Sequence, residues 1–560
     1  MGRFREHVLS MIKNKVYMLM LSFTAVLSYG FLVTHQTVGI DDTPYTYYFE
    51  EGLSAIVGRW VFFLVNKVFH VSDFSPFITD FAGVLILMGA VTVWAALFRS
   101  ILGDRVPMWG YAFFACIFIS CPLISEVYPY YLHNGVSLGY LCTGVSLYFY
   151  RELAQSGKER RRLLLMGLGT AVFLWIAMGC YESFMIVWLV GIFLVLLTER
   201  YAGIRRKVFL ALCQGAAAAV AAILLRSLMI AAVTGIFGLG ELRDEAVQRS
   251  VTEMVSWMLE PEAGAVFAMA LKRIFVMYGV FAYAYYPIFV FVLACAVMLA
   301  AGLGRAVKCK DIWCFLLTLG CFFASFLLVV VEGSATLYRS AQFLPVICGY
   351  GVLSAVYLLW ELFKWLRVRI QNADRAALCC RVGSGLAIFC LCAILWNQCF
   401  DMNRWFYVDY MKYEDAKELA AEIAGELERG FDTSKPVVFT GTYQPPQGII
   451  GDAYVVYRSE TFYKMDRLAC KVDEHLLEKF YREYGVWVAQ TPALSVIDWG
   501  INAFENDGEL VRFFAMHGYD IQVNMDSQRY ETAQLYSAGL PHFPKEGSIV
   551  DMGDYIIVHF

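Results

Sequence analysis

Residues 16–34 read VYMLMLSFTAVLSYGFLVT, and five residues further on comes Gly39-Ile40-Asp41-Asp42-Thr43-Pro44-Tyr45. The first stretch has the length and apolarity of a membrane-spanning helix, for which roughly 20 apolar residues are needed. The second sets two carboxylates side by side where the chain leaves that helix. Arg3, Arg5, Lys13 and Lys15 precede the apolar run, and no small-residue cleavage site follows it. This is expected to be an uncleaved first span whose N-terminus lies in the cytoplasm.

The pattern repeats along the chain. Of 560 residues, 59% are hydrophobic and only 17% are charged, with mean hydropathy +0.56. Apolar runs occupy about 16–34, 77–98, 108–125, 133–150, 163–179, 183–198, 208–235, 275–303, 312–331, 341–360 and 382–399. The composition predicts a polytopic α-helical membrane protein with about eleven transmembrane helices. The runs flanking Tyr181-Glu182-Ser183 are read as a tight hairpin or as one broken helix.

Charge is sorted along this series. One set of connections carries Arg99 and Arg105, then Arg151, Lys158 and Arg160–Arg162, then Arg200 and Arg205–Lys207. Arg305, Lys308 and Lys310 follow, and then Lys364, Arg367, Arg369, Arg375 and Arg381. The alternate connections carry Asp41, Asp42, Glu50, Glu51, Asp73, Glu126, Glu182, Glu241, Asp244 and Glu332. By the positive-inside rule the basic loops are cytoplasmic, the acidic loops face outward, and the number of spans is odd.

Two outward segments exceed what a hairpin needs. In the first, Glu51 to His70 reads as an interfacial helix bearing Gly58-Arg59-Trp60; in the second, Glu241 to Leu259 is polar and helix-like, with Trp257 as an interface anchor. After Trp396 the composition turns charged and Tyr-rich. Residues 1–400 are assigned to the membrane domain and 401–560 to a small C-terminal α+β extracytoplasmic domain. In it, Tyr413 to Arg429 and His475 to Tyr484 read as helices, Pro436–Thr440 as a strand, and Ser548–Asp551 with Tyr555–Val558 as a hairpin.

Several function classes have no support. No strongly basic domain stands out for nucleic acid. No Gly-x-x-x-x-Gly-Lys-Ser/Thr loop suggests ATP-driven transport, and no glycine fingerprint marks a dinucleotide site. Nearly all of the 16 cysteines lie in or beside apolar runs, without zinc-site spacing.

The residues with chemical potential cluster on the outward side. One carboxylate of the Asp41/Asp42 pair can take a proton from an attacking hydroxyl while the other holds the acceptor or orients its neighbour. Pro44 favours a turn that aims the pair back at the membrane. Arg59 and Arg339 offer forked donors for a phosphate at headgroup level, or simply snorkel to the interface. Glu126, His133 and Glu182 sit near outer helix ends, where a cavity or plain solvation would suit them. Arg226, inside the 208–235 run, is expected to pair with an acid that the sequence does not identify.

Taken together, several motifs resemble the bacterial type II Gtr glucosyltransferases, first known from O-antigen modification. They are Gly39-Ile40-Asp41-Asp42, Gly58-Arg59-Trp60, the Pro129-Tyr130-Tyr131-Leu132-His133-Asn134 turn, and Tyr338-Arg339-Ser340. Asn403-Arg404-Trp405-Phe406-Tyr407-Val408-Asp409-Tyr410 and Lys435-Pro436-Val437-Val438-Phe439 complete the set. The resemblance implies a GT-C glycosyltransferase of the cell membrane, acting on its outer face. It implies a polyprenyl-phosphate sugar donor, often undecaprenyl-phosphate glucose, a cell-surface glycan acceptor and inversion at the sugar. Asp41 or Asp42 would be the general base and Arg339 a contact for the donor phosphate, with Tyr338, Arg59, Glu126, His133 and Glu182 in the substrate-binding set. No cofactor is expected; some GT-C enzymes use a divalent cation near the acidic loop, but Asp41 and Asp42 alone are too few ligands for a site. Two rivals stand beside this reading: a flippase for a lipid-linked sugar, which would need polar residues through the bundle and repeat symmetry, and a non-catalytic protein of envelope assembly.

Overall fold

The computed structural model describes residues 2–37, 54–55, 58–68, 76–128, 133–155, 160–238, 257–278, 286–327, 340–370, 372–441, 460–485, 508–524 and 526–560. A short amphipathic helix α1 (Gly2–Ile12) leads into α2 (Lys15–Thr34), whose start is capped by Asn14 accepting the Tyr17 backbone N–H at 2.9 Å. Then come α3 (Trp60–Val68), α4 (Pro76–Leu102), α5 (Met108–Ile119), α6 (His133–Gln155), α7 (Arg160–Cys180), α8 (Phe184–Tyr201) and α9 (Val208–Ile236). They are followed by α10 (Ala263–Tyr278), α11 (Tyr286–Cys309), α12 (Trp313–Ser325), α13 (Phe343–Arg369) and α14 (Ala373–Gly430).

Among the described residues, nine helices are long and apolar enough to cross a bilayer. The other two expected runs are also helical. In α6 the polar residues lower the mean hydropathy, and α12 spans 13 residues of its run. The protein is therefore a polytopic helical membrane protein. The run expected at 275–303 differs in detail: α10 ends at Tyr278 and α11 begins at Tyr286.

Inside hydrocarbon a polar group is stabilised by a protein partner, and several large buried aromatics of the bundle have one. The Tyr29 hydroxyl donates to the Ile119 carbonyl at 2.6 Å and the Tyr140 hydroxyl to the Gln342 carbonyl at 2.7 Å. Trp94 Nε1 donates to the Tyr140 carbonyl and Trp188 Nε1 to Ser146 Oγ, each at 2.9 Å. Where α13 crosses α11, Gly351 leaves no room for a side chain: a Cβ there would meet the Ala294 Cα at 2.7 Å as well as its Cβ.

The basic ends of the helices are tied together by ions. Glu199, only 1% exposed, lies 2.7 Å from Arg206 Nη2 and 3.7 Å from Arg151 Nε. Arg200 pairs with Asp311 at 3.0 Å and donates to the Arg206 carbonyl at 2.6 Å. These arginines come from the sequence's basic connections, and they tie α6 and α8 to the α8–α9 and α11–α12 connections.

Helix α14 runs for 58 residues, about 87 Å at 1.5 Å per residue, nearly three times the hydrocarbon thickness of about 30 Å. Its first half is apolar. Its last part buries Tyr413, Ala416, Leu419, Ala420, Ile423, Ala424 and Leu427 on one side, the spacing of an amphipathic helix. That side packs on a three-stranded sheet of order β1-β3-β2, with β1 (Val437–Thr440), β2 (Ile549–Asp551) and β3 (Ile556–His559). β1 and β3 are parallel and β2 and β3 form the expected hairpin. Gly553, at φ +96, turns it while Asp551 Oδ1 accepts the Gly553 N–H at 2.8 Å. Between β1 and β2 lie α15 (Glu460–Tyr484), α16 (Gly508–Met516) and α17 (Ser527–Ser537). Leu477 and Phe480 of α15 pack on Val266 and Met269 of α10.

Gly351→Val should destabilise the protein by about 1–3 kcal/mol, since backbone rather than a flexible side chain blocks the added methyls. Thermal melting of the detergent-solubilised chain tests this; an unchanged midpoint would contradict the close α11–α13 contact.

Candidate active site

The acidic ends of the bundle hold the described candidate residues. The chain reaches α3 through Ala55, Gly58 and Arg59; the Gly58 N–H donates to the Ala55 carbonyl at 3.0 Å and the Arg59 N–H to the Ser54 carbonyl at 2.8 Å. Gly58 adopts φ +87, which costs a residue without a Cβ little. The position also allows close approach from α9: a Cβ on Gly58 would meet the Arg226 guanidinium, with Cζ at 2.7 Å.

This geometry corrects the expectation of an interfacial helix bearing Arg59. The helix starts at Trp60, after Arg59, and Trp60, Val61, Phe62 and Phe63 are buried. Trp60 lies 4.7 Å from the Trp175 ring, and the Trp60, Val61 and Phe63 side chains share a core with Cys180 and Val233. Trp60 to Phe63 thus pack into the protein, while Leu64, Lys67 and Val68 in the second half of α3 are exposed.

Arg59 thereby faces the turn between α7 and α8. Its Nε and Nη2 donate to Glu182 Oε2 and Oε1 at 3.1 and 2.8 Å. Its Cζ stands 4.1 Å over the Tyr181 ring, so one guanidinium makes both a fork and a cation–π contact. The Tyr181-Glu182-Ser183 segment is a turn between two helices, the hairpin alternative of the sequence reading. Loss of surrounding water works to raise the Glu182 carboxyl, but the Arg59 charge and hydrogen bonds, with Arg226 adding to them, hold it below the ordinary carboxylate value. Arg226, given no named partner by sequence, is electrostatically coupled to Glu182. Arg59 thus contacts the carboxylate directly, and Arg226 bears on it through its charge.

A second polar group gathers where α2 ends. Gln36 Nε2 donates to Asp80 Oδ2 at 3.1 Å, and Thr37 Oγ1 donates to Asp409 Oδ2 at 3.0 Å. Asp80, near the start of α4, is 7% exposed and Asp409, on α14, is 5% exposed. The His35 ring stacks on Phe31 at 4.0 Å and meets Tyr410 edge-on at 5.0 Å. Sequence reasoning passed over both acids. The signal was available: Asp80 is an ionisable residue inside an apolar run, and Asp409 sits in the Asn403–Tyr410 motif.

Asp41, Asp42, Tyr338 and Arg339 lie outside the described residues, as does most of the Glu241–Leu259 stretch. Glu126 closes a 3₁₀ turn (Pro122–Glu126) and His133 opens α6, so both lie at helix ends as expected; their side chains are outside the description. Arg59 and Glu182 are brought together.

The sequence matches the family described as Glucosyl transferase GtrII over residues 30–356, more than half of the chain. The chain belongs to the GtrII glucosyl transferase family. It is a membrane glycosyltransferase. The GtrII match runs from within α2 into α13, taking in Asp41, Asp42, Arg59, Asp80, Glu182, Arg226 and Arg339, and stops short of α14 and the sheet. Among solved structures, the chain is similar to ArnT from Cupriavidus metallidurans bound to undecaprenyl phosphate, at 13% identity and TM-score 0.31, over 83% of this chain and 90% of that one. No curated protein matches.

Breaking the Arg59–Glu182 fork in this GtrII chain has a calculable pH signature. Because the Glu182 carboxyl is held below its ordinary value of 4.5, the stability it contributes is present above that pH and is lost as pH falls through the lower folded value. The side chain is 45% exposed, so the pair is worth under ~1 kcal/mol. Melting curves of Glu182→Gln against the unsubstituted chain should differ at pH 7 and converge at acid pH; a constant difference across that range would contradict the ionic role.

Proposed function

We propose that the protein moves a hexose, glucose by its family, from a polyprenyl-phosphate-linked donor to a cell-surface glycan on the outer face of the membrane. The acceptor hydroxyl oxygen forms a bond to the anomeric carbon as the carbon–oxygen bond to phosphate breaks. The hydroxyl proton passes to a carboxylate of Asp41 or Asp42. The phosphate leaves with the bonding electrons, and the sugar's configuration inverts. Phosphate is already a good leaving group, so a general base for the hydroxyl and cations for the departing charge meet the chemical demand.

The observation that carries this reading is the GtrII match, which extends across the acidic pair and the outer arginines in one stretch. The charge sorting supports an outward active site, with the N-terminus in the cytoplasm and residues 401–560 outside. Arg59 and Arg226, flanking Glu182 beside Gly58, are suited to favour a phosphate at that end of the bundle, with Arg339 as a further contact. Glu182 would hold Arg59 in place between substrates. The aromatic side chain of Tyr338 suits a sugar face, and Glu126 and His133 are assigned to the acceptor in this reading.

Mass spectrometry of surface glycans from cells with and without the protein tests the reaction: a hexose present only with the protein is expected, and identical glycans would overturn the proposal. Asp41→Asn and Asp42→Asn test the base. At least one should reduce transfer by about 10²–10⁴-fold, the usual worth of a general base; full glycan modification with both substitutions in place would remove the pair from the mechanism.

A further inference from the structure

Asp409 stands on α14, outside the part of the chain that matches the family. Its place in the structure is nevertheless at the exit of the first membrane helix. Thr37 Oγ1 donates to Asp409 Oδ2 at 3.0 Å in a contact closed to solvent, Thr37 being 8% exposed and Asp409 5%. The other carboxylate oxygen, Oδ1, is buried with no hydrogen-bond partner among the described residues.

Other threonines in the bundle satisfy themselves locally. Thr24, Thr92, Thr170, Thr198 and Thr318 each donate to the carbonyl four residues back. Thr37 lies past the end of α2, and its hydroxyl crosses to another helix. A buried acid is an expensive acceptor compared with a carbonyl or an amide, so packing alone does not account for it. The neighbouring Gln36 is tied in the same manner to Asp80 on α4. The chain just past α2 is therefore held from two sides by carboxyl groups, before it goes on to Asp41 and Asp42. Asp41 is the fourth residue after Thr37, a reach of at most about 14 Å.

We propose that Asp409 is a positioning residue for glycosyl transfer: through Thr37 it fixes where the chain leaves α2, and so where the acidic pair is presented. The proposal rests on the assignment of that pair as the base. It makes α14 the link between the sheet unit and the reacting end of the bundle, because the same helix carries Asp409 and, from Tyr413 onward, the core of that unit. Misplacement of a reacting group by about 1 Å is enough to cost on the order of 10²-fold in rate.

The test uses the full chain in proteoliposomes with polyprenyl-phosphate glucose as donor probe and the cell's own surface glycan as acceptor. Asp409→Leu should lower kcat per folded molecule by about tenfold or more, with KM for the donor changed by less than about twofold. Thr37→Val should do the same, and the double variant should be no worse than either single one. Asp409→Asn keeps an acceptor oxygen for Thr37 and should retain most of the rate. A melting midpoint lowered by Asp409→Leu with kcat of the folded protein unchanged would mean a structural role only and overturn the proposal, as would single losses that multiply. A second readout is independent of turnover: maleimide labelling of Val38→Cys, with the parent chain as blank, should quicken several-fold with Asp409→Leu and not with Asp409→Asn. Labelling that responds while the unsubstituted chain transfers nothing from the probe would overturn the donor reading and leave the tether standing. Transfer that proceeds while labelling and kcat ignore Asp409→Leu would remove the tether.

Discussion

The pairing of α2 with α14 is the contact on which the rest of the structure depends. It joins the first and last spanning helices, and it is made by polar as well as apolar groups. Ser28 Oγ and Cys399 Sγ meet at 3.4 Å, Asn403 Nδ2 donates to the Leu27 carbonyl, and Thr37 meets Asp409 at the end. Between them Tyr29 packs against Phe406, and Phe31 against Tyr407 and Tyr410. In hydrocarbon, apolar faces gain little by finding each other, because lipid is as apolar as leucine. Polar contacts at that depth define the register.

The same constraint explains the two ends of the bundle. At the basic end, Glu199 and Asp311 receive guanidinium groups from α6, α8 and the following connection, so arginines of the basic connections lock the helices. At the acidic end, the charges are arranged differently: Arg59 and Arg226 face Glu182, and Asp80 and Asp409 hold the end of α2. One end is a structural clamp in which acids are covered by excess base. The other end carries two separate polar groups, one from Arg59, α9 and the α7–α8 turn and one from the end of α2, α4 and α14. Helix α14 connects this end to the sheet unit because its amphipathic last part continues the same rod without a break.

Much of this was legible in order along the chain. The apolar runs gave the helices, because a spanning segment needs only length and apolarity; the alternation of basic and acidic connections followed from the same local count. The Tyr413 to Arg429 helix, the strand at 437–440 and the final hairpin were readable from periodicity, since one face of each packs on a single core. Arg59 was read as lying within a helix, which in the structure starts one residue later. Helical spacing is blind to the left-handed Gly58 that ends the preceding turn, and to the burial of Trp60–Phe63 beneath α7.

What the sequence determined by itself is the class of protein and the family: membrane spans, sorted charge, and the motifs around Asp41-Asp42 and Arg59 are properties of consecutive residues. What only the tertiary structure decided is partnership. Arg59 and Glu182 are 123 residues apart, and Thr37 and Asp409 are 372 apart; no local pattern specifies such pairs. Helices pack so that isolated polar side chains find each other in a medium without water, and that search runs across the fold, not along the chain. Asp409, a single acid in a polar stretch, gains its meaning from where α14 lies against α2.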